Sequence, residues 1–295
     1  MASIINRGTM LPPEMVSEIF NGVRGDSAIA RLAPEAPIPF NGSAEMVFTM
    51  DSEASIVGES EAKVNGGATA IVKVIRPYKF EYGFRTSDEF IWGTEEYRMN
   101  VLRAFAEGAR RKFARGFDIA AFHGFNPKAG TASTVVGDNH IDHDVTQTVT
   151  YAAATADTNI VDAVALVEAN GAMVNGIAMS PAMKSAIGAM TANGGMKYPQ
   201  FAFGATPEDL GGTRLEVNPT VAVGTVDHAI VGDWSAFRWG YGKDITVDVI
   251  EYGNPDNDAI AGDLKGHNQV YLRAEAYIGW AVLVPSFFAR VKVGA

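Results

Sequence analysis

Residues 231–252, VGDWSAFRWGYGKDITVDVIEY, and residues 269–293, QVYLRAEAYIGWAVLVPSFFARVKV, decide how this chain is read. In the first, Ile245, Val247 and Val249 alternate with Thr246 and Asp248. In the second, Val270, Leu272, Ala274, Ala276 and Ile278 alternate with Tyr271, Arg273, Glu275 and Tyr277. A period of two marks strands with one apolar and one polar face. The segment between them, GNPDNDAIAGDLKGHN, has the composition of a loop. Nothing in either strand looks catalytic, so the pair is expected to lay its apolar face on a helix and leave its polar face available.

The helix that such a pair needs lies upstream. Thr94 is a candidate N-cap, and Glu95 and Glu96 sit in the first turn, where unpaired N–H groups favour negative charge. Val101, Phe105, Ala109, Phe113 and Phe117, with Leu102 and Ala106 beside them, form one apolar stripe at helical spacing. Arg103, Glu107, Arg110, Arg111 and Arg115 keep the other faces polar. The spacing predicts a helix from Thr94 to about Phe122, roughly 40 Å long.

Before it, residues 44–86 read as two extended segments, AEMVFTM and TAIVKVIRPYKFEYGF, flanking the polar DSEASIVGESEAKVNGG. The polar segment reads as an outlying hairpin or long loop, with little in its own subunit to pack on. Residues 1–43 contain Pro12, Pro13, Pro34, Pro37 and Pro39 around one short helix, PPEMVSEIF. Its apolar residues, with Ile29 and Leu32, need a surface that is either its own core or a neighbour. After the long helix the chain turns to short alternating elements. A helix is expected at TNIVDAVALVEANG and a strand at NGIAMS; Ser180 and Pro181 then open AMKSAIGAM, and strands follow at RLEVN, TVAVG and HAIVGD.

Composition narrows the function. The chain has 295 residues, is 47% hydrophobic and 20% charged, and carries a formal charge of −10. That balance belongs to an ordered globular protein and opposes one that coats phosphate backbones, so any nucleic acid nearby is contained rather than gripped. The absence of cysteine excludes disulfides, thiolate nucleophiles and thiolate-bound zinc. The first residues lack the pattern of a secretion signal, and no apolar run reaches 18 residues, so no membrane span is predicted.

Candidate chemistry is sparse. HIDHD offers His140, Asp142, His143 and Asp144 as metal ligands, but its spacing matches no helical pair of histidines and reads first as a solvated loop. Ser180 with Lys184 reads as a helix cap, and no G-x-S-x-G elbow supports a nucleophile. The glycine clusters lack the context of a phosphate loop. No catalytic, cofactor-binding or metal residue is therefore assigned.

Taken in order, the proline-bearing arm, outlying hairpin, long helix, alternating α/β segment and terminal strands resemble a major capsid protein of tailed bacteriophages with the HK97-like shell fold. The residues that carry the resemblance are Val231, Gly232, Asp233 and Trp234, the aromatic strand with Gly240 and Gly242, and Leu272 to Glu275 through Val284, Pro285, Ser286, Phe287 and Phe288. The resemblance implies an α+β subunit: an N-terminal arm at 1–43, an E-loop at 44–75, a peripheral P-domain at 76–144 with a spine helix at 94–122, an axial A-domain core at 145–230, and terminal strands at 231–295 returning to the P-domain. It implies pentamers and hexamers closing an icosahedral shell around double-stranded DNA in a virion assembled in the bacterial cytoplasm. A scaffolding protein, a portal and a decoration protein are the implied partners, with no membrane and no cofactor. No long coiled segment precedes the arm, so the scaffold is expected to be a separate protein or the chain a cleaved one. Glu59, Lys63, Arg76, Arg85, Arg273 and Glu275 are the candidates for contacts between subunits, and no lysine–asparagine crosslink is predicted. The alternatives are an encapsulin-like shell around enzymes and, from another class, a metal-dependent enzyme built on HIDHD.

Overall fold

A computed structural model describes residues 22–50, 53–62, 65–224 and 227–294. The expected helix at PPEMVSEIF and the candidate Lys63 lie outside the described residues. Three parts carry the architecture: a long helix under a three-stranded sheet, a six-stranded sheet with two helices, and a two-stranded ribbon. A short helix, α1 (Ala28–Leu32), precedes the ribbon strands β1 (Ser43–Met50) and β2 (Ala68–Ile75). The strand β3 (Pro77–Ser87) follows, and then the long helix α2 (Glu95–His123).

The segment expected to be one extended strand is two, and the break is a change of partner. TAIVKVIRPYKFEYGF is divided at Arg76, so that β2 pairs antiparallel with β1 while β3 pairs with the second of the two terminal strands. The terminal strands are β9 (Phe237–Ile250) and β10 (Gln269–Val282), and the antiparallel order is β9-β10-β3. β10 is the central strand of this sheet, and on its polar face Tyr271 and Glu275 are buried and Arg273 is half-buried rather than open. Its other face, Ala274, Ala276, Ile278 and Trp280, packs with Phe105, Phe113 and Phe117 of α2 in one core. Phe117 lies 5.2 Å from the ring of Trp239 and 5.6 Å from that of Trp280, so two indoles seat the sheet on the helix.

The spine helix begins and ends as its sequence dictates. Thr94 accepts a hydrogen bond from the Tyr97 N–H, and Gly124 closes the helix with φ 67°, a conformation cheap only for glycine. Its 29 residues span about 43 Å. The first turns bury one stripe, whereas every residue from Gly116 to His123 is buried.

The second layer holds β4 (Thr148–Thr150), α3 (Ala156–Glu168), β5 (Gly176–Met179), α4 (Pro181–Gly188), β6 (Asp209–Leu210), β7 (Thr213–Val217), β8 (Asp227–Gly232) and β11 (Phe288–Lys292). Its strand order is β6-β7-β5-β8-β11-β4, with β7/β5 and β11/β4 parallel and the other pairs antiparallel. The last strand therefore leaves the terminal pair and enters this sheet. Ser180 caps α4 by accepting from Met183 N, with Pro181 in the first turn, as its sequence signals. TVAVG does not form the expected strand: Pro219–Ala222 is a 3₁₀ turn, opened by Asn218, whose side chain accepts from Thr220 N. Proline after a capping asparagine outweighs the β-branched run.

The arm residues that are described pack on their own subunit. Val23, Ile29 and Leu32 join the core of α2, and Ala36 N donates to the Trp239 carbonyl at 2.9 Å. Gly240 permits this approach, because a Cβ there would fall 1.8 Å from the Ala36 carbonyl oxygen. The start of α1 is held by Asp118, a fully buried carboxylate of α2 that accepts from Ser27 Oγ at 2.5 Å, Ala28 N at 2.9 Å, Ile29 N at 3.3 Å and Thr220 Oγ1 at 3.1 Å. Replacing Asp118 with alanine strands these donors in a dry site and should cost about 3 kcal/mol. A lower urea midpoint for the unassembled subunit and faster proteolysis near residues 22–35 are the measurements that check it.

Candidate assembly surfaces and the buried charge network

The ribbon β1/β2 runs in register from Ser43 opposite Ile75 to Met50 opposite Ala68, roughly 26 Å of hairpin. Met46, Phe48, Ile71, Val72 and Val74 are exposed on it, Phe48 at 60%. Its root is tied down: Ile75 is buried, Glu45 pairs with Arg238 at 2.8 Å, and Lys73 meets Asp144 at 3.6 Å. Beyond the strands, Gly58 N donates to the Glu61 carboxylate at 3.0 Å across a turn in which Ser60 has φ 75°. Ile56 in this loop is fully exposed.

The sequence-derived contact candidates fall into two groups. Glu59 is exposed on the loop, and Arg76 is exposed where β2 hands over to β3; among the described residues neither makes an ion pair. Arg85, Arg273 and Glu275 are engaged within the subunit. Arg85 grips the 253–268 loop, bonding both Asp256 oxygens at 2.6 and 2.8 Å, Asn254 Oδ1 at 2.7 Å and the Gly262 carbonyl at 2.8 Å. Its guanidinium holds Asp256 down at about 2. Arg273 and Glu275 belong to a chain of charges across all three strands: Lys79 to Glu275 at 2.7 Å, Arg273 to Glu275 at 3.2 Å and Arg273 to Asp248 at 3.8 Å.

HIDHD does not gather into a site. His140 caps the short helical turn Ile141–Asp144, His143 is exposed, and Asp144 faces Lys73. Only Asp142 points inward, to His123 Nδ1 at 2.7 Å, while His123 Nε2 donates to the Thr220 carbonyl at 2.8 Å. The group within metal-ligating reach is His123, Asp142 and Asp227. Its cation is already provided by the protein: Arg290 lies 3.1 Å from Asp142 and 2.8 Å from Asp227, and it also donates to the Asp142 carbonyl at 2.7 Å. The geometry suits a structural lock between the end of α2, the 141–144 turn, β8 and β11 better than a metal centre.

Sequence reasoning missed Asp118, Asp227 and Arg290. Asp118 had a legible signal, a lone carboxylate in the apolar run GFDIAAF, which a buried helix tail tolerates only with donors waiting. Asp227 and Arg290 had none, since each is an ordinary charge in a strand until its partners converge.

Comparison with known proteins completes the picture. Residues 7–293 match the model of the phage capsid family. The chain belongs to that family. No curated protein sequence matches it, but solved structures do. A chain from Mycobacterium phage Ogopogo is 28% identical, with a TM-score of 0.75 and coverage of 91% of this chain and 92% of that one. A chain from Gordonia phage Cozz is also 28% identical, with a TM-score of 0.75 over 92% and 87%. At 15% identity, the capsid of a native GTA particle computed with C5 symmetry shares the fold, with a TM-score of 0.66 over 100% and 95%. The capsid protein is α+β with an HK97-like fold, and its role is structural rather than enzymatic.

Three buried carboxyls bind protons more tightly in this capsid protein than in an unfolded chain. Burial raises Asp118 to about 6 and Glu216, beside Arg31, to about 7. Burial and the adjacent Asp142 carboxylate raise Asp227 as well. The folded state therefore holds more protons than the unfolded state between the ordinary carboxyl values and about pH 7, and stability rises as pH falls through that window. The depressed carboxyls, Asp157 beside Lys197 and Asp256 beside Arg85, both at about 2, oppose this only in stronger acid, whereas His140 and His228, lowered by burial, offset part of it as pH falls through the ordinary imidazole range. The thermal midpoint of the unassembled subunit is expected to be about 5 °C higher at pH 5.5 than at pH 8, and calorimetry at the two values reads it.

Proposed function

We propose that this capsid protein closes its shell by laying the β1/β2 ribbon across neighbouring subunits. Phage capsid proteins of this fold self-assemble into icosahedral shells enclosing DNA, and this chain is one of them. The finer reading is that five or six copies make each capsomer, with the ribbon as the E-loop, the 22–42 segment as the root of the arm, α2 as the spine of a peripheral domain and the six-stranded layer as the axial domain. Glu59, Lys63 and Arg76 are the charges assigned to contacts between copies. Arg85, Arg273 and Glu275 contribute by holding rigid the sheet and loop that present such contacts.

The observation that carries the reading is the ribbon's apolar surface. A two-stranded hairpin is marginal by itself, and five exposed large apolar side chains on one lower the solubility of an isolated subunit. Burying such a side chain completely is worth about 1.5–3 kcal/mol, so half-exposed residues on every copy supply a contact energy that grows with each subunit added. The formal charge of −10 agrees with a wall that contains DNA without neutralising it. A separate scaffolding protein, a portal and a decoration protein are the remaining partners of this reading, and assembly takes place in the cytoplasm of the bacterial host.

Phe48→Thr combined with Val72→Thr keeps the strand preference and removes the apolar contact. The double variant should fold with a urea stability within about 0.5 kcal/mol of the parent and fail to form shells by sedimentation and negative-stain microscopy. Full-sized shells from it would remove the ribbon's apolar surface from the assembly mechanism, and full-sized shells from a chain lacking residues 51–67 would remove the segment between its strands.

A further inference from the structure

The strand β3 ends the three-stranded sheet, and its free edge borders a cleft of about 650 Å³ between the strand, α2 and the segment that follows the helix. Six consecutive residues, Tyr78 to Gly83, line it. Side chains of one strand alternate between faces, so residues of both parities meet one cavity only where the backbone edge itself faces it. Among the described residues, no hydrogen bond reaches the N–H or C=O groups of 78–83 from the cleft side. Phe80, Phe113 and Val136 make the floor apolar. Lys112 and Lys128 stand exposed at the rim, and neither forms an ion pair among the described residues. The lining holds three lysines, Lys79, Lys112 and Lys128, against one carboxylate, Glu81, which faces Lys79 at 3.9 Å, in a protein whose formal charge is −10.

We propose that this cleft is a strand-addition site for an extended segment of another protein that alternates acidic and apolar residues. An added strand satisfies the open backbone edge, places every second side chain on the apolar floor and turns its carboxylates toward Lys112 and Lys128. Two other occupants fit less well. The chain's own 53–62 loop has the acids and an exposed Ile56, but it is folded into a turn at Gly58–Glu61 with Ser60 left-handed, so it does not offer six extended residues. A nucleic-acid backbone would meet the lysines but also the carbonyls of the strand edge and an apolar floor, neither of which suits phosphate. The site is independent of the ribbon reading, because no ribbon residue lines it.

The test uses the full-length unassembled subunit and a synthetic ten-residue peptide of alternating glutamate and valine. At saturation, hydrogen exchange of the 78–83 amides should slow about tenfold or more. The same peptide should bind the K112E/K128E variant about tenfold more weakly, and the counterpart with lysine in place of glutamate should not bind. Both substituted lysines are exposed, so an unchanged urea midpoint for the variant confirms its fold. Absence of slowing at 78–83, or equal affinity for the variant, overturns the proposal. Stronger protection of those amides by a peptide of residues 53–62 or by a 20-base-pair DNA duplex overturns it as well, and names a second copy or a nucleic acid as the occupant.

Discussion

One carboxylate fixes how the parts of this subunit meet. Asp118 sits in the fully buried tail of α2 and collects donors from Ser27, Ala28 and Ile29 on one side and Thr220 on the other, segments separated from it by 89 to 102 residues. It does for α1 what a cap residue does for its own helix, but from a different helix. Once α1 is seated, Ala33 accepts from the Trp239 indole at 3.1 Å and Glu35 bridges to the strand at Trp239. The chain then leaves for the ribbon along a defined path. The direction in which the ribbon projects is thus set by a buried charge at the far end of the spine, and burial of that charge is tolerable only because every donor is in place.

The second buried network works at a comparable boundary. His123, Asp142, Asp227 and Arg290 come from the end of α2, a short turn, β8 and β11. Apolar packing forms separate clusters on the two sides, one around α2 and the tryptophans and one around α3, α4 and the six-stranded sheet. Directional bonds between the clusters leave fewer alternative arrangements than apolar contact alone, because a shifted layer would leave Asp227 and Arg290 uncompensated in a dry interior. Surface pairs such as Arg24 with Glu35 lack that leverage.

Much of this was legible from periodicity. The α2 stripe, its Thr94 cap, the alternation of β9 and β10, and the Ser180–Pro181 start of α4 are local signals, and local physics honoured them. What was hidden is pairing. Nothing in TAIVKVIRPYKFEYGF announces that its halves serve different sheets, and the alternation of β10 gives no hint that it is the central strand of three. TVAVG shows the limit of propensity, since a capped proline turn overrode a β-branched run. Among the contact candidates, Glu59 on a loop has no ion pair among the described residues, whereas Arg85 found the 253–268 loop and Arg273 and Glu275 found charges on their own and neighbouring strands.

The place of β11 in its sheet bears on synthesis. It lies between β8 and β4, and β4 joins the sheet only through it. All of its neighbours precede it in the chain, so the ribosome delivers this interior strand after every other strand of the layer. Until then β4 has no neighbour and Asp227 has no guanidinium beside it. Closing contacts this distant in sequence is slow, and it cannot begin on an incomplete chain. A polypeptide that ends before β11 therefore lacks a finished second layer, with β4 left outside the sheet.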